Sequence, residues 1–475
     1  MVFSSHIFLF YFLPVFLAIY YLLPFQWKGF YVKNAFITIM SYIFYGWLVP
    51  WFVILMFITT LKDYICGRII SFPNQVQWKR KAALIFAIVG DLGLLAYYKY
   101  SMFFMEGVNR VAEFLGSGPH AFNIALVLLP SGISFYTFVA LSYTIDVYKG
   151  NAKPARNFSM FSCFVGLFPH LIAGPIIRYS SVAEQLEYRE HTASKFASGV
   201  AIFCLGFAKK IVLANSVAPI ADAVFGSDNP GTINIWWGVA AYAFQIYFDF
   251  CGYSDMAVGL ARMMGIEFIK NFDGPYHSRD ITTFWRKWHI SLSSFIRDYL
   301  YIPLGGNRCS TPRMYCNLAF SFFCCGLWHG AKMTFVFWGI YQGVFLILER
   351  MQGKKSLYSW MPVWGQTAMT FVIILFGWVL FRAPDIGQAI HYWGTMVGLS
   401  GHPGASSVLL SAEIFSPRHI FEMLMCAVFV WQPLQAHQWV ERLSVSRCAL
   451  CAVVLVLALC MMFTQTYNPF LYFQF

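Results

Sequence analysis

Long apolar segments constrain this chain more than any other feature of its sequence. They follow one another along the 475 residues and run to about 17–25 residues, the length that crosses a hydrocarbon core about 30 Å thick. Backbone polar groups in lipid must bond within their own segment, so these segments are predicted to be helices. The sequence therefore predicts an all-α, polytopic integral membrane protein with about 11–13 transmembrane or re-entrant helices. The predicted spans are 5–24, 34–49, 51–69, 83–105, 123–147, 158–178, 197–222, 233–262, 315–330, 333–350, 365–382, 415–433 and 447–466.

The composition supports this interpretation. Hydrophobic residues make up 59% of the chain and charged residues only 11%, against about 25% charged residues in soluble domains. The net charge of +12 comes from basic residues scattered between apolar segments, which indicates basic cytoplasmic loops and excludes a nucleic-acid-binding domain. The twelve cysteines fall mostly in apolar runs, so we predict inert packing thiols and no metal site.

Basic residues between the spans predict the orientation. The loops that hold Lys79 to Lys81 and Lys149 to Arg156 are separated by spans of the parity that puts both on the cytoplasmic side. Arg442 and Arg447 precede the last span, which places the carboxyl terminus on the periplasmic side. We find no internal repeat, and we expect residues 1–475 to form one membrane-embedded domain whose first apolar segment is retained rather than cleaved.

Proline and glycine interrupt two of the apolar stretches. Pro130 stands near Gly132, and Pro169 and Pro175 stand near Gly166 and Gly174. Non-helical backbone at membrane depth persists only where protein or a cavity covers it. The interruptions therefore predict a core built around a passage.

His329 is the most informative titratable residue. It lies in the run Gly326-Leu327-Trp328-His329-Gly330, between two strongly apolar stretches. Ionisable groups at membrane depth are costly and usually mark function. The alternative is a structural histidine hydrogen-bonded between packed helices.

Two carboxylates also lie in an apolar segment. Asp249 and Asp255 are six residues apart and need partners, for which Arg262, Arg279 and Arg286 are the candidates. The alternative to a functional role is an ion-pair lock between bent helices.

Residues 284–308 combine aromatic and basic side chains. Read as one helix, the segment places Trp285, Trp288, Leu292, Phe295 and Ile296 on one face, which predicts an interfacial helix. Its basic residues also suit the phosphates of a nucleotide-bearing acyl donor such as a coenzyme A thioester. His289 stands 40 residues before His329, and both imidazoles suit proton transfer near neutral pH.

Several motifs together resemble the membrane-bound O-acyltransferase family, and within it the bacterial alginate O-acetylation proteins. The resemblance covers residues 1 to about 385 and is weaker over 386–475. The motifs that carry it are Met1-Val2-Phe3-Ser4-Ser5, Leu129-Pro130-Ser131-Gly132-Ile133-Ser134-Phe135-Tyr136, Phe168-Pro169-His170-Leu171-Ile172-Ala173-Gly174-Pro175, Tyr247-Phe248-Asp249-Phe250-Cys251-Gly252-Tyr253-Ser254-Asp255, Trp288-His289-Ile290-Ser291-Leu292-Ser293, Arg297-Asp298-Tyr299-Leu300-Tyr301-Ile302-Pro303-Leu304-Gly305-Gly306 and Leu327-Trp328-His329-Gly330.

The resemblance implies an inner-membrane O-acyltransferase built around a central tunnel. It would move an acetyl group from a cytoplasmic thioester, such as acetyl-CoA, toward an exported polysaccharide such as alginate or cellulose. His329 would be the essential histidine and His289 a supporting polar residue, with His289 or Asn307 as an oxyanion donor. The implied partner is a periplasmic SGNH-hydrolase-like acetyltransferase, and no bound cofactor is expected. The candidate donor- or tunnel-lining residues are Arg286, Lys287, Arg297, Asp298, Asn307, Trp328, Asp249 and Asp255.

The aromatic end of the chain suggests a further role. Residues Asn468 to Phe475 resemble the tail of the small peptide that accompanies teichoic-acid D-alanylation, whose tyrosine is thought to carry the acyl group. By this resemblance Tyr472 would be an acyl relay. The alternative is an aromatic belt at the end of the last span.

Three other functions stay open at this point. One is acylation of peptidoglycan or another cell-wall polymer. A second is a proton-coupled transporter or flippase, in which the buried histidines and carboxylates would relay protons. A third is a non-catalytic scaffold that docks a periplasmic enzyme.

Overall fold

A computed structural model of the chain describes residues 1–116, 127–353, 355–399, 405–465 and Leu471. Across these ranges the secondary structure is helical, and the single β-bridge, between Trp27 and Phe30, belongs to no strand. The predicted all-α class is confirmed. The described chain divides into two compact units, Met1–His191 with Gly265–Glu267, and Thr192–Met264 with Phe268–Phe475. The expectation of a single domain stays a prediction.

The first unit contains eight α-helices, preceded by a π-helical turn at Phe8–Phe12. Its centre is aromatic, because the Phe168 ring lies between 5.1 and 6.4 Å from five other phenylalanine rings. The helices are α1 (Leu13–Leu22), α2 (Val32–Gly46), α3 (Trp51–Ile70), α4 (Gln77–Phe114), α5 (Ile133–Lys149), α6 (Phe158–Gly166), α7 (Phe168–Leu171) and α8 (Tyr179–Glu187).

The two predicted interruptions in this unit meet each other. The predicted span 158–178 is broken at Leu167, between α6 and α7. The span predicted over 123–147 begins as a helix only after Gly132, whose φ is +78°; its first residues lie outside the described ranges. A Cβ at Gly132 would stand 2.3 Å from the Leu171 carbonyl oxygen, so the glycine lets the two breaks touch.

The second unit contains the remaining helices and all of the predicted catalytic residues. Two π-helical turns, Lys209–Ala214 and Arg297–Tyr301, and two 3₁₀ turns, Pro275–His277 and Val440–Arg442, lie between them. The helices are α9 (Ala193–Ala208), α10 (Asn215–Phe225), α11 (Thr232–Met263), α12 (Ile281–Lys287), α13 (Ile290–Ile296), α14 (Thr311–His329), α15 (Met333–Met351), α16 (Val363–Arg382), α17 (Ile386–Met396), α18 (Ala405–Ile414), α19 (Pro417–Val430), α20 (Ala436–Trp439) and α21 (Val445–Thr464).

Four stretches of the described chain are long and apolar enough to cross a membrane. They are Gln77–Phe114, Ala193–Phe225, Val363–Arg382 and Val445–Thr464. Each corresponds to a predicted span, while several other predicted spans form shorter helices. The protein is thus a helical membrane protein, and the count of 11 to 13 spans and the central tunnel stay predictions.

Glycines bring α9 and α11 into backbone contact. A Cβ on Gly206 would lie 2.6 Å from the Gly252 carbonyl oxygen, and one on Gly259 would lie 2.6 Å from the Gly199 carbonyl oxygen. Small residues at helix interfaces allow this approach where no hydrophobic force drives helix association. The two contacts are seven residues apart on each helix, so they fix the register of one helix against the other.

We expect Gly206→Ala to destabilise the protein by about 1–3 kcal/mol, because the added methyl group would force α9 and α11 apart. Gly93→Ala in α4 is the matched control, since a Cβ there meets nothing within 4 Å and alanine favours a helix. The measurement is the fraction of each purified variant that stays monodisperse after heating in detergent. Equal heat resistance of the two variants would show that the α9–α11 contact is not tight.

Candidate active site

His329 is the last residue of α14, where α14 turns back into α15. The two helices touch through Gly326 and Gly339: a Cβ on Gly326 would lie 2.3 Å from the Phe335 carbonyl oxygen, and one on Gly339 would lie 2.3 Å from the Phe322 carbonyl oxygen. This close approach brings α15 alongside the end of α14, where His329 lies.

Three aromatic rings surround the His329 imidazole edge-on, and we call them the aromatic cage. The ring centroids of Trp328, Trp338 and Phe381 lie 4.9, 5.1 and 5.0 Å from that of His329. Only 9% of His329 is exposed. Packing on several sides fixes the orientation of the imidazole, which a positioned proton-transfer group requires.

His289 occupies a strained position between α12 and α13. Its φ and ψ are 44° and 55°, in the left-handed region, which is uncommon for any residue but glycine. The prediction of one continuous helix over this segment is therefore wrong, because the chain breaks at Trp288 and His289. Strained backbone of this kind is often found at functional sites.

The predicted interfacial face is also wrong, since its tryptophans lie in the core. Trp285 and Trp288 are 7% and 4% exposed. The Trp288 ring packs 4.9 Å from that of Trp378, and Trp285 Nε1 donates to Gln342 Oε1 at 3.2 Å. Other parts of this unit cover the tryptophans, and the periodicity of one short segment could not reveal that.

The hydrogen bonds of Asn271 set the tautomer of His289. One terminal atom of the Asn271 amide accepts from the Ser291 backbone N–H at 3.1 Å and from the Ser291 hydroxyl at 2.9 Å. Because a backbone N–H can only donate, this atom is the amide oxygen, Oδ1. It lies 3.2 Å from His289 Nδ1, so Nδ1 carries the proton and Nε2 keeps its lone pair. Burial lowers the pKa of His289 to about 3, because it disfavours the charged ring. The imidazole is therefore neutral, and Nε2 is a buried hydrogen-bond acceptor of low basicity.

Trp328 joins the two histidines. Its ring centroid lies 6.1 Å from that of His289 and 4.9 Å from that of His329. The structure thus brings both predicted histidines to one indole, although 40 residues separate them in the chain.

A cavity of about 360 Å³ lies beside α14. Arg286, Arg297 and Asn307, three of the predicted donor residues, line it together with three serines, Ser293, Ser294 and Ser321. The cavity also reaches Cys325, which is four residues before His329 and therefore on the same side of α14.

Other predicted residues support this cavity or lie away from it. Asp298 does not line it but binds Arg297, with Arg297 Nε 2.7 Å from Asp298 Oδ1 and Nη2 3.1 Å from Oδ2. The Tyr301 hydroxyl donates to Asn307 Oδ1 at 2.8 Å, which leaves the Asn307 amide N–H groups as potential donors. Lys287 is not among the residues that line the cavity.

The predicted arginine partners of the α11 carboxylates are wrong. Lys210 Nζ lies 2.6 Å from Asp249 Oδ1, and Lys209 Nζ lies 2.6 Å from Asp255 Oδ2. Both lysines belong to the π-helical turn that follows α9. The glycine contacts between α9 and α11 decide this pairing, and the spacing of charges along the sequence does not contain it.

The sequence did not reveal two residues, one that lines the cavity and one that holds the helix beside it. Arg350 at the end of α15 adds a third guanidinium to its lining. Glu349, 2% exposed, accepts from the backbone N–H groups of Ile281 at 2.6 Å and Thr282 at 2.9 Å, so a carboxylate neutralises the positive end of α12. Both residues lie in the last turn of the otherwise apolar α15, and nothing local in the sequence distinguishes them.

Tyr472 lies outside the described residues. Its neighbour Leu471 is described and is 4% exposed. The Leu471 backbone N–H donates to Asp249 Oδ2 at 2.9 Å. The chain end therefore reaches the interior of the second unit one residue before Tyr472.

Comparison with known proteins identifies the family of the chain. Residues 157–384 match the model of the MBOAT, membrane-bound O-acyltransferase family. The chain is 39% identical to a probable alginate O-acetylase of Pseudomonas putida over the full length of both proteins. It is 44% identical to a probable alginate O-acetylase of Pseudomonas aeruginosa, over 83% of this chain and 75% of that one. It is 32% identical to a peptidoglycan O-acetyltransferase of Helicobacter pylori, over 84% of this chain and 80% of that one.

The helical membrane fold and these matches define an acyl-transferring membrane enzyme. The chain belongs to the membrane-bound O-acyltransferase family, which confirms the resemblance found in its motifs and the prediction of an O-acyltransferase.

The left-handed backbone at His289 predicts an order of stability among its variants. His289→Asn should fold, because asparagine tolerates this conformation. His289→Val should lose about 1–2 kcal/mol more, because a β-branched side chain collides with the backbone there. The measurement is heat resistance of the purified variants in detergent. A valine variant as resistant as the asparagine variant would mean that position 289 is not left-handed.

Proposed function

We propose that this acyltransferase acetylates an exported polysaccharide, of which alginate is the first candidate. The observation that carries the proposal is the caged His329 at the end of α14, four residues beyond the cation-lined cavity. The substrate is supported by the names of the two Pseudomonas relatives, which are more similar to this chain than the Helicobacter relative is.

The cavity has the chemistry of a site for the donor's phosphates. Arg286, Arg297 and Arg350 bring three guanidiniums to a cavity of about 360 Å³ that three serines also line. Guanidinium binds phosphate through paired hydrogen bonds, so the donor we propose is acetyl-CoA. Its thioester would extend toward Cys325 and His329.

His329 would act as the general base. Its imidazole takes the proton of the acceptor hydroxyl while the hydroxyl oxygen bonds to the thioester carbonyl carbon. The carbonyl oxygen becomes an oxyanion, stabilised by a donor such as the Asn307 amide. His289 does not suit this predicted role, because its N–H is directed to Asn271 and its other ring nitrogen carries no proton. The oxyanion collapses, the C–S bond breaks, and the proton passes from His329 to the leaving thiolate. The products are an acetyl ester and a free thiol.

The first acceptor we propose is the phenol of Tyr472. A carrier at the chain end would take the acetyl group from the His329 site and deliver it outside the cytoplasm. The described position of Leu471, buried in the unit that holds His329, supports this role. We place the enzyme in the inner membrane with its carboxyl terminus periplasmic, where an SGNH-hydrolase-like transferase would move acetyl from the tyrosyl ester to the polymer hydroxyl.

Peptidoglycan is the second candidate substrate. The Helicobacter relative, named a peptidoglycan O-acetyltransferase, shares 32% identity over 84% of this chain. The two substrates differ in the partner that would complete the transfer, so the acetylated polymer itself distinguishes them.

His329→Ala should reduce acetylation of the exported polymer to background, because a general base contributes about 10²–10⁴-fold to the rate. The measurement is ester-linked acetate per sugar in exported polysaccharide and in purified peptidoglycan, with the amount of enzyme in the membrane determined alongside. His419→Ala is the matched control, since the His419 imidazole contacts only the Glu413 carbonyl oxygen near the start of α19 in the described structure, and its backbone N–H, which donates to the N-cap Ser416 hydroxyl, is kept by alanine. Normal acetylation in the His329 variant at normal enzyme level would exclude it as the base.

Arg350→Gln should raise the KM for acetyl-CoA about tenfold or more, because a hydrogen bond to a charged group contributes about 1.5–3 kcal/mol. The value of kcat should change less, since the guanidinium lies away from the reacting carbonyl. The matched control is Arg418→Gln, whose guanidinium pairs with Glu422 on α19. The measurement is thioester cleavage by purified enzyme at varied donor concentration. An unchanged KM would remove the cavity as the donor site.

A further inference from the structure

A buried ion pair in the second unit has hydrogen-bond partners beyond its own two residues. Lys210 and Asp249 are almost completely buried, with side chains 2% and 3% exposed, and Lys210 Nζ lies 2.6 Å from Asp249 Oδ1. Lys210 Nζ also donates to Asn215 Oδ1 at 2.8 Å. The proton-transfer scheme above uses none of these groups.

The end of the chain is bound at two points, once to this pair and once to residues next to it. Asp249 Oδ2 accepts the Leu471 backbone N–H at 2.9 Å, across 222 residues of sequence. Gln465, directly after α21, accepts from Asn215 Nδ2 at 2.9 Å and donates to the Ile211 carbonyl oxygen at 3.2 Å. Residues 465 and 471 are thus both held by one polar network.

The hydrogen bond of the Leu471 backbone has the chemistry needed to dock a carrier segment. Its acceptor is a carboxylate in a dry environment, where a charge-assisted hydrogen bond is strong. Its donor is a main-chain N–H, so the bond fixes the backbone at position 471 without using a side chain of the tail.

A second lysine–aspartate pair joins the same parts of the chain and shows what distinguishes Lys210 and Asp249. Lys209 and Asp255 also pair between the π turn and α11, at 2.6 Å, but they are 17% and 22% exposed. Their additional partner is Cys251, and the described tail residues make no bond to them. Two similar pairs thus join the same helices, and only one of them binds the chain end in the described structure.

We propose that Lys210, Asp249 and Asn215 form the tail seat, a site that docks the carboxyl-terminal segment by its backbone and positions Tyr472 for acyl transfer. The positioning part of this inference rests on the proposed carrier function of Tyr472. The docking part does not, and it is tested separately.

Docking is tested by carboxypeptidase digestion of the full-length protein in detergent, followed by intact mass. The quantity measured is the rate at which the last three residues are lost, which precedes any cleavage at position 471. Leu471→Pro removes the N–H donor and keeps the ion pair, whereas Leu471→Met keeps both the donor and the side-chain volume. We expect Leu471→Pro to be digested about tenfold faster or more than the wild type, and Leu471→Met to match the wild type.

A pair of double variants tests the ion pair itself. Lys210→Met with Asp249→Leu removes both charges together, which avoids a buried unpaired charge and is usually tolerated in folding. Lys209→Met with Asp255→Leu is the matched control at the second pair. Only the first double variant should speed digestion. Wild-type rates in both Leu471→Pro and the first double variant would overturn the tail seat.

Acetylation of the exported polymer tests the positioning role, with Tyr472→Phe as the reference. That variant removes the phenolic nucleophile and should abolish acetylation while digestion stays slow. Leu471→Pro should then lower acetylation too, although Tyr472 is intact. Fast digestion of Leu471→Pro with full acetylation would overturn positioning. Full acetylation in Tyr472→Phe would instead refute the carrier function, while the digestion rates would still decide whether the seat exists.

Discussion

The backbone contact between α9 and α11 is the constraint on which much of the second unit depends. Gly206 and Gly252 allow the two helices to approach so closely that a single methyl group would collide with a carbonyl oxygen. This register presents Lys209 and Lys210, in the π turn after α9, to the carboxylates of α11. Buried charges are stable only when paired, so a steric contact between glycines decides the electrostatics of the unit.

Glycine contacts between helices also shape the surroundings of His329. Gly326 and Gly339 bring α14 and α15 into backbone contact, and Trp328, Trp338 and Phe381 surround the imidazole. Little of the energy at this contact depends on polar groups, since close packing of small residues is a principal source of helix association in lipid. Several of the polar groups lie where the backbone of the second unit departs from regular helix, at His289 and in the π turns Lys209–Ala214 and Arg297–Tyr301.

Regular helices were predictable from the sequence to a considerable extent. The spans predicted over 51–69 and 333–350 appear as Trp51–Ile70 and Met333–Met351, because hydropathy and length alone set helices in a bilayer. The segment 284–308 was not predictable in the same way. Its periodicity suits one interfacial helix, yet tertiary contacts bury Trp285 and Trp288 and break the chain at His289.

The sequence by itself determined the membrane class, the helical fold and the histidines worth testing, because apolar length and isolated ionisable residues are local properties. Only the tertiary structure decided which groups meet. It joined His289 to His329 through Trp328, added Arg350 to the cavity, and gave Asp249 a lysine and the Leu471 backbone as partners. These contacts span up to 222 residues, and they depend on helix register, which no local pattern specifies.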